Sequence, residues 1–536
     1  MRYSLILILF FTWNIYVQEK AEPKPKLVVG IVVDQMRYDF LFRYWDKYSD
    51  SGFKKLVNEG FLCKNVNYNY IPTYTGPGHA AIYTGSTPSV NGIVSNDWWD
   101  RASGKNVYCV DDSTVKGVGS ASKMSPRNLL VSTMTDELRL STGNSGKVIG
   151  IALKDRGAIL PAGHKANAAY WLDSPSGNWV TSTYYMTSLP AWVDDFNKKQ
   201  LQEQYLSKPW VTLRNLEEYA ESTSDYNVYE GPFLTELKPV FPHNLPAIRK
   251  ADVELLKKTP FGNTMTKEFA VAAIQGEHLG RRQTTDFLCI SFSSTDYVGH
   301  QFGIDAIETE DTYLRLDRDL SELLTFLDSV IGKQNMLVFL TSDHGAAHNA
   351  AYMKEQNVPA GIISNATLGK NLEAYFDSVF GARNYITAFS SHNIYFNDYI
   401  FRSGKLTRKE VEDAAKNFLS KTEGIADVFS ADELYDNGDN SSRSMLSRGS
   451  HPLRKADMYY VMKPNWMDYI PTGTTHGSGY DYDTHVPLLF WGGKISKGSS
   501  EQYHNITDIA PTICTYLNIA FPKGCEGKAM MEIFKD

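Results

Sequence analysis

Lys26-Leu-Val-Val-Gly-Ile-Val-Val33, followed at once by Asp34, is the stretch from which the fold reads. A nearly unbroken β-branched run is what a strand buried on both faces of a parallel sheet requires. Four further runs share the pattern: Lys147-Val-Ile-Gly-Ile-Ala-Leu153, Asp286-Phe-Leu-Cys-Ile-Ser-Phe292, Met336-Leu-Val-Phe-Leu-Thr341 and Val486-Pro-Leu-Leu-Phe-Trp491. Helical segments separate them. The clearest is 312–331, where Leu314, Leu316, Leu320, Leu323, Leu324 and Leu327 share one broad face. Residues 38–59 also read as helix, as does a segment from Ser125-Pro126, an N-cap with a first-turn proline, to about Leu140. Tyr170-Trp-Leu-Asp-Ser-Pro-Ser-Gly-Asn-Trp-Val180 reads as a surface hairpin. The alternation predicts an α/β fold, a doubly wound, mostly parallel sheet with helices on both faces. Its ligand site is expected beyond the carboxyl ends of the strands.

Two stretches break the pattern. Residues 190–260 are polar and aromatic with scattered prolines, an irregular excursion or lid. Residues 346–469 read as a smaller inserted α+β cap module, with a strand at 391–396, a capped helix at 407–419 and a short strand at 424–429. The body is then 21–345 together with 470–536.

At the N-terminus Arg2 precedes the apolar run Leu5-Ile-Leu-Ile-Leu-Phe-Phe11, and a polar stretch follows. That run is too short to span a bilayer and fits a signal peptide over 1–20, with the cleavage point open. An exported protein is expected, periplasmic or secreted, without stable membrane association once the signal is removed. A net charge of -7, from 54 basic and 61 acidic residues, carries no footprint for nucleic acid. Of the five cysteines, Cys289 lies in an apolar run as a free thiol, and export would permit Cys63–Cys109 and Cys514–Cys525 pairs. The oligomeric state is open, with a monomer as the working expectation.

The chemistry gathers around Thr73-Tyr-Thr-Gly-Pro-Gly-His79, a tight turn feeding a small-residue helix. Free N–H groups and the helix dipole favour an anion there, and Thr75 offers a hydroxyl. Asp34, Asp296 and Asp343 each sit at or just beyond the end of a strand-like run, so parallel strands would bring all three to one sheet edge. Asp296 and His300 are spaced i, i+4, His344 follows Asp343, and His476 lies in a turn-rich loop. Carboxylate and imidazole together suit Zn²⁺ and also Mn²⁺ or Fe. Singly, each has a plain alternative: an Asp after a strand is often a helix N-cap, and Asp296 with His300 could be a structural pair.

In their order and combination these motifs resemble the alkaline phosphatase superfamily, and within it the PafA-type phosphate-irrepressible alkaline phosphatases. They are Val33-Asp-Gln-Met-Arg37, Tyr74-Thr-Gly-Pro-Gly-His79, Ser95-Asn96, Lys154-Asp-Arg-Gly157, Ser294-Thr-Asp-Tyr-Val-Gly-His300, Thr341-Ser-Asp-His-Gly345 and Thr475-His476. The resemblance implies an alkaline-phosphatase-like sheet and two Zn²⁺ per chain, one site drawn from Asp34, Thr75, Asp343 and His344, the other from Asp296, His300 and His476. It also implies a hydrolase with Thr75 as nucleophile, a phosphothreonine intermediate, and Asn96, Lys154 and Arg156 on the phosphoryl oxygens. Small phosphate monoesters are the expected substrates. A phosphodiesterase or nucleotide pyrophosphatase of the same superfamily is the main alternative, and a non-catalytic phosphate-binding protein a further one. Sulfatases need a C-x-P-x-R sequence, and here Thr75 and His79 replace the cysteine and the arginine.

Overall fold

A computed structural model describes residues 24–534; the expected signal peptide at 1–20 lies outside them. Ten strands form one sheet. Across it they run Gly498–Asn505, Phe61–Asn67, His485–Trp491, Met336–Thr341, Leu27–Val33, Asp286–Phe292, Val148–Ala152, Ala168–Asp173, Asn178–Ser182 and Gly117–Val118. His485–Trp491 and Asn178–Ser182 run against the others, so the sheet is mostly parallel.

Leu27–Val33 is central and wholly buried. Leu27, Val29, Ile31 and Val33 enter one core with the long helix Ile307–Val330, while Val28 and Val32 enter another with Tyr83 and the helix Ile509–Leu517. Burial on both faces is why the run needs no polar alternation, and each large side chain removed from water contributes roughly 1.5–3 kcal/mol. Gly30 interrupts the run for a reason. A Cβ there would lie 2.4 Å from the Tyr83 hydroxyl, so the glycine lets the Thr75–Thr84 helix press on the sheet. The register pairs Val32 with both Ser291 and Thr341, which brings the ends of three strands level.

Several expectations are corrected. The stretch 38–59 is not one helix but Phe40–Arg43, a 3-10 turn Trp45–Lys47 and Phe53–Glu59. The helix expected from Ser125 begins at Met134, where Thr133 and Asp136 form a reciprocal capping box; Ser125 caps only a 3-10 turn. The hairpin around 170–180 belongs to the central sheet, and Trp179 is buried, stacked on Phe269 with ring centroids 4.2 Å apart. Residues 190–260 hold short helices and loops whose Trp210, Phe233 and Leu245 join the core against the long helix. No cysteine is disulfide-bonded: Cys63 and Cys109 belong to separate core clusters, and Cys514 and Cys525 are also free.

Within 346–469 a four-stranded antiparallel sheet, ordered Ile386–Ser390, Asn393–Phe396, Met458–Met462 and Ile425–Ser430, packs with the helices Asn365–Phe380 and Arg408–Leu419 around a core of its own. Among the described residues no helix is long and apolar enough to cross a membrane.

Candidate metal and phosphoryl site

Thr75 opens a ten-residue helix, Thr75–Thr84, every residue of which is buried. Its hydroxyl therefore stands at the positive end of the helix dipole, inside the protein. Gly78 allows the helix to start there, since a Cβ on it would meet the Asp343 carbonyl oxygen at 2.2 Å. Asn96 Oδ1 accepts from Gly76 N at 2.8 Å. His79, which the sequence reading passed over, bonds the Thr75 carbonyl at 2.9 Å and Ser291 Oγ at 3.0 Å, and its Nδ1 lies 3.3 Å from Asp343 Oδ2.

Two groups of potential ligands meet at the level strand ends. Asp34, Asp343 and His344 bring ligand atoms within 4.8 Å of one another, and so do Asp296, His344 and His476. His344 thus stands between the groups, its ring stacked on His476 at a 3.5 Å centroid separation. His300 joins through Asp296, Nε2 to Oδ1 at 3.2 Å across one turn of the helix Ser294–Phe302. The other ring nitrogens are occupied: His300 Nδ1 faces the Thr474 carbonyl, His476 Nδ1 that of Thr73 (both 2.7 Å), and His344 Nδ1 that of Gly345 at 2.9 Å. These bonds fix the rings and leave each Nε2 toward the cluster.

Gln35 was also missed. Held at φ 65, it donates from its amide Nε2 to Asp296 Oδ1 at 2.8 Å and from its backbone to Asp343 Oδ1 at 3.2 Å, tying the two groups together. The only sequence signal was its place directly after Asp34.

The site is electrostatically unbalanced. Asp34, Asp343 and His344 are fully buried; Asp34 Oδ2 meets only the Lys154 ammonium at 2.7 Å and Asp343 Oδ2 only His79 Nδ1 at 3.3 Å, while Asp34 Oδ1 and His344 Nε2 have no hydrogen-bond partner. Burial, with Asp343 beside it, pushes Asp34 well above the carboxylate range. Burial acts the same way on Asp296, but His300 and Lys154 hold it well below that range. Burial drives His476 and His344 down, so both are neutral imidazoles, the form that binds metal. Buried carboxylates and imidazoles with so few hydrogen-bond partners fit a cation.

Lys154 and Arg156 face the Thr75 hydroxyl. Lys154 Nζ lies 3.4 Å from Oγ1 and also 2.7 Å from Asp34 and 2.5 Å from Asp296, while Arg156 Nη2 lies 3.5 Å from Oγ1. Lys154 is the N-cap and Arg156 sits in the first turn of the helix Asp155–Ala162. Tyr108 and Tyr297, which sequence did not single out, support them. Arg156 Nη1 donates to the Tyr108 hydroxyl at 3.0 Å, and Lys154 Nζ lies 5.0 Å from the Tyr297 ring centre.

Comparison with known proteins agrees with this architecture. Residues 28–466 match the type I phosphodiesterase / nucleotide pyrophosphatase family. A Myroides odoratus protein named calcium-transporting ATPase is 46% identical over 98% of this chain and 97% of its own length. Alkaline phosphatase PafA of Elizabethkingia meningoseptica is 44% identical over 96% and 95%. The crystal structure of wild-type PafA superposes with a TM-score of 0.93 at 43% identity, covering 96% of this chain and 100% of that one. A crystallised PafA variant carries a threonine-to-serine change with an asparagine, a lysine and an arginine turned to alanine.

The chain belongs to the type I phosphodiesterase / nucleotide pyrophosphatase family of the alkaline phosphatase superfamily, and is a hydrolase. Within that superfamily it is PafA-like along nearly its whole length.

Proposed function

We propose that the chain is an exported, two-zinc phosphate monoesterase that works through a phosphothreonine on Thr75. The observation that carries this is the Thr75 hydroxyl: it stands at a buried helix N-terminus, within 3.5 Å of both Lys154 and Arg156, beside six clustered carboxylate and imidazole groups. Asp34, Asp343 and His344, with Thr75, would hold one zinc, and Asp296, His300 and His476 the other. When bound, zinc supplies Lewis acidity to oxygens that gain charge during phosphoryl transfer.

The protein's own groups do the rest. Thr75 Oγ passes its proton to solvent water and bonds to phosphorus as the ester P–O bond breaks, the departing oxygen keeping the bonding pair and taking one proton back from water, so that the alcohol leaves neutral. Water then attacks the phosphothreonine, releasing inorganic phosphate and restoring the hydroxyl. Lys154, Arg156 and the Asn96 amide group donate to the non-bridging oxygens. A monoester presents free charged oxygens to all three. A diester replaces one with an ester group and leaves a donor unpaired, which argues against the diesterase alternative. The four residue types altered in the PafA variant occur here in the same chain order as Thr75, Asn96, Lys154 and Arg156. The name calcium-transporting ATPase fits the same chemistry, because the γ-phosphoryl group of ATP is also terminal and doubly charged.

Acid quenching during turnover, followed by peptide mass analysis, tests the reading. One phosphoryl group is expected on Thr75, absent in Thr75→Ala, while Thr75→Ser keeps much of the turnover. Near-native turnover in Thr75→Ala would overturn it.

A further inference from the structure

A small cavity lies between the body and the module at 346–469, away from the metal ligands. Ile71 and Val94 line it from the body, and Ser391, Asn393, Ser450 and Arg454 from the module. It adjoins the loop that carries Asn96, since Ser95 Oγ donates to Ser391 Oγ at 3.3 Å. Among the described residues of its wall Arg454 is the only charged one. No carboxylate shares the wall, although the chain as a whole carries a net charge of -7. Such a lining repels cations. Its volume, about 10 Å³, suits one water-sized particle.

Arg454 is held in place without being neutralised. Its guanidinium lies over the Trp98 ring, 4.5 Å from the centre, and Nη1 donates to the Gly92 carbonyl. Neither partner carries a negative charge, and of the five N–H donors of a guanidinium only this one is used. Other partly buried arginines differ: Arg37, Arg43, Arg315 and Arg448 each lie within 2.9 Å of a carboxylate. Burial pushes Arg454 down to about 10, although the more distant Asp100 pulls the other way, and it stays charged. A cation withdrawn from water without a counter-charge is costly. Further donors surround it. Ser450 Oγ and the Tyr459 hydroxyl, which also lines the cavity, share one hydrogen bond at 2.7 Å, so one of their two protons is left to turn elsewhere.

A water molecule in the cavity would leave the charge unbalanced, and phosphate or sulfate exceeds the volume. A halide meets both conditions, being compact, negative and bound by N–H and O–H donors on one side with apolar contacts on the other. We propose that this cavity binds a monatomic anion, chloride, on Arg454 and the hydroxyl and amide groups around it. The ion would act as a structural counter-charge at the joint, tying the module to the loop that ends in Asn96. It takes no part in the reaction, so the proposal stands apart from the phosphatase reading.

Bromide and chloride are the probes. Crystals of the wild-type protein soaked in bromide should show an anomalous peak beside the Arg454 guanidinium. In solution, sodium chloride should raise the melting temperature saturably above sodium gluconate of equal ionic strength, by about 1–2 °C at ten times Kd. Arg454→Gln should abolish both effects, and Arg454→Lys, which keeps the charge, should retain part of each. The wild-type readouts decide the matter even if Arg454→Gln does not fold. No bromide peak at this cavity, or equal stabilisation by chloride and gluconate, would overturn the proposal. A peak without any chloride dependence of melting would mark an adventitious ion only, and would overturn it as well.

Discussion

The guanidinium of Arg156 donates to the Tyr108 hydroxyl at 3.0 Å, and that bond determines where its other nitrogen points. Nη2 is left toward Thr75 Oγ1, 3.5 Å away. On the proposed function, Tyr108 would act as a positioning residue, reaching the phosphoryl group through Arg156. Tyr108→Phe should lower monoester kcat/KM by about tenfold, with little change in melting temperature. Combined with Arg156→Ala it should add almost nothing further, because the two act as one unit. Additive losses would assign Tyr108 a separate role.

Lys154 and Arg156 should select the substrate. Replacing both with alanine is expected to cut monoester kcat/KM far more than diester kcat/KM, since only the monoester offers charged oxygens to both. Equal losses would mean that the pair supports the fold or the metals.

Metal content is directly measurable. Purified protein should carry about two zinc ions per chain, chelation should abolish turnover, and zinc should restore it. A fully active enzyme with one tightly held metal would contradict the pairing of sites.

Gly78 provides a structural route to the same point. A Cβ at this position would collide with the Asp343 backbone, 2.2 Å from its carbonyl oxygen. Gly78→Ala should weaken zinc binding by about tenfold or more, by displacing Asp343 from its neighbours. Unaltered zinc affinity, measured by titration against a chelator, would show that the helix start can shift without moving the ligand.

Stability should fall as pH rises, because of a buried cluster outside the site. His243, between Glu236 and Glu308, is opposed by burial, yet those carboxylates raise it to about 9. Burial, with Glu308 nearby, raises Glu230 to about 10. Both groups hold a proton in the folded state that the unfolded chain releases earlier. The contribution of His243 is complete below its unfolded value and is lost as pH rises through about 9; Glu230 removes stability progressively up to about 10. Melting temperature should drop between pH 7 and pH 10, and Glu230→Gln should flatten the drop. An unchanged slope in that variant would exclude Glu230 as a cause.

What sequence made legible was set by local pattern. Continuous apolar runs with an Asp at or a few residues beyond their ends located Asp34, Asp296 and Asp343 at one edge, because strand burial and strand direction are written in consecutive residues. Distant partners were not legible. The break in 38–59 comes from Asp317, on the long helix, which accepts from Ser49 N at 2.7 Å and Phe53 N at 2.8 Å and so restarts the helix after the break. The 170–180 hairpin is buried because Phe269, from another helix, covers Trp179. Gln35, Tyr108 and Tyr297 escaped notice for the same reason, since each matters only through a residue far along the chain.

The strand His485–Trp491 lies inside the sheet between Phe61–Asn67 and Met336–Thr341, although it follows the 346–469 segment in the chain. Time order during folding follows from this. Until residue 491 is available, the strands Phe61–Asn67 and Met336–Thr341 are separated by a gap and each has an unpaired edge. Closing it joins segments hundreds of residues apart, a slow kind of step because loop closure precedes the contacts that reward it. Chains ending short of this strand would present sticky edges and no chemistry, so phosphatase activity should emerge only at the last stage of maturation.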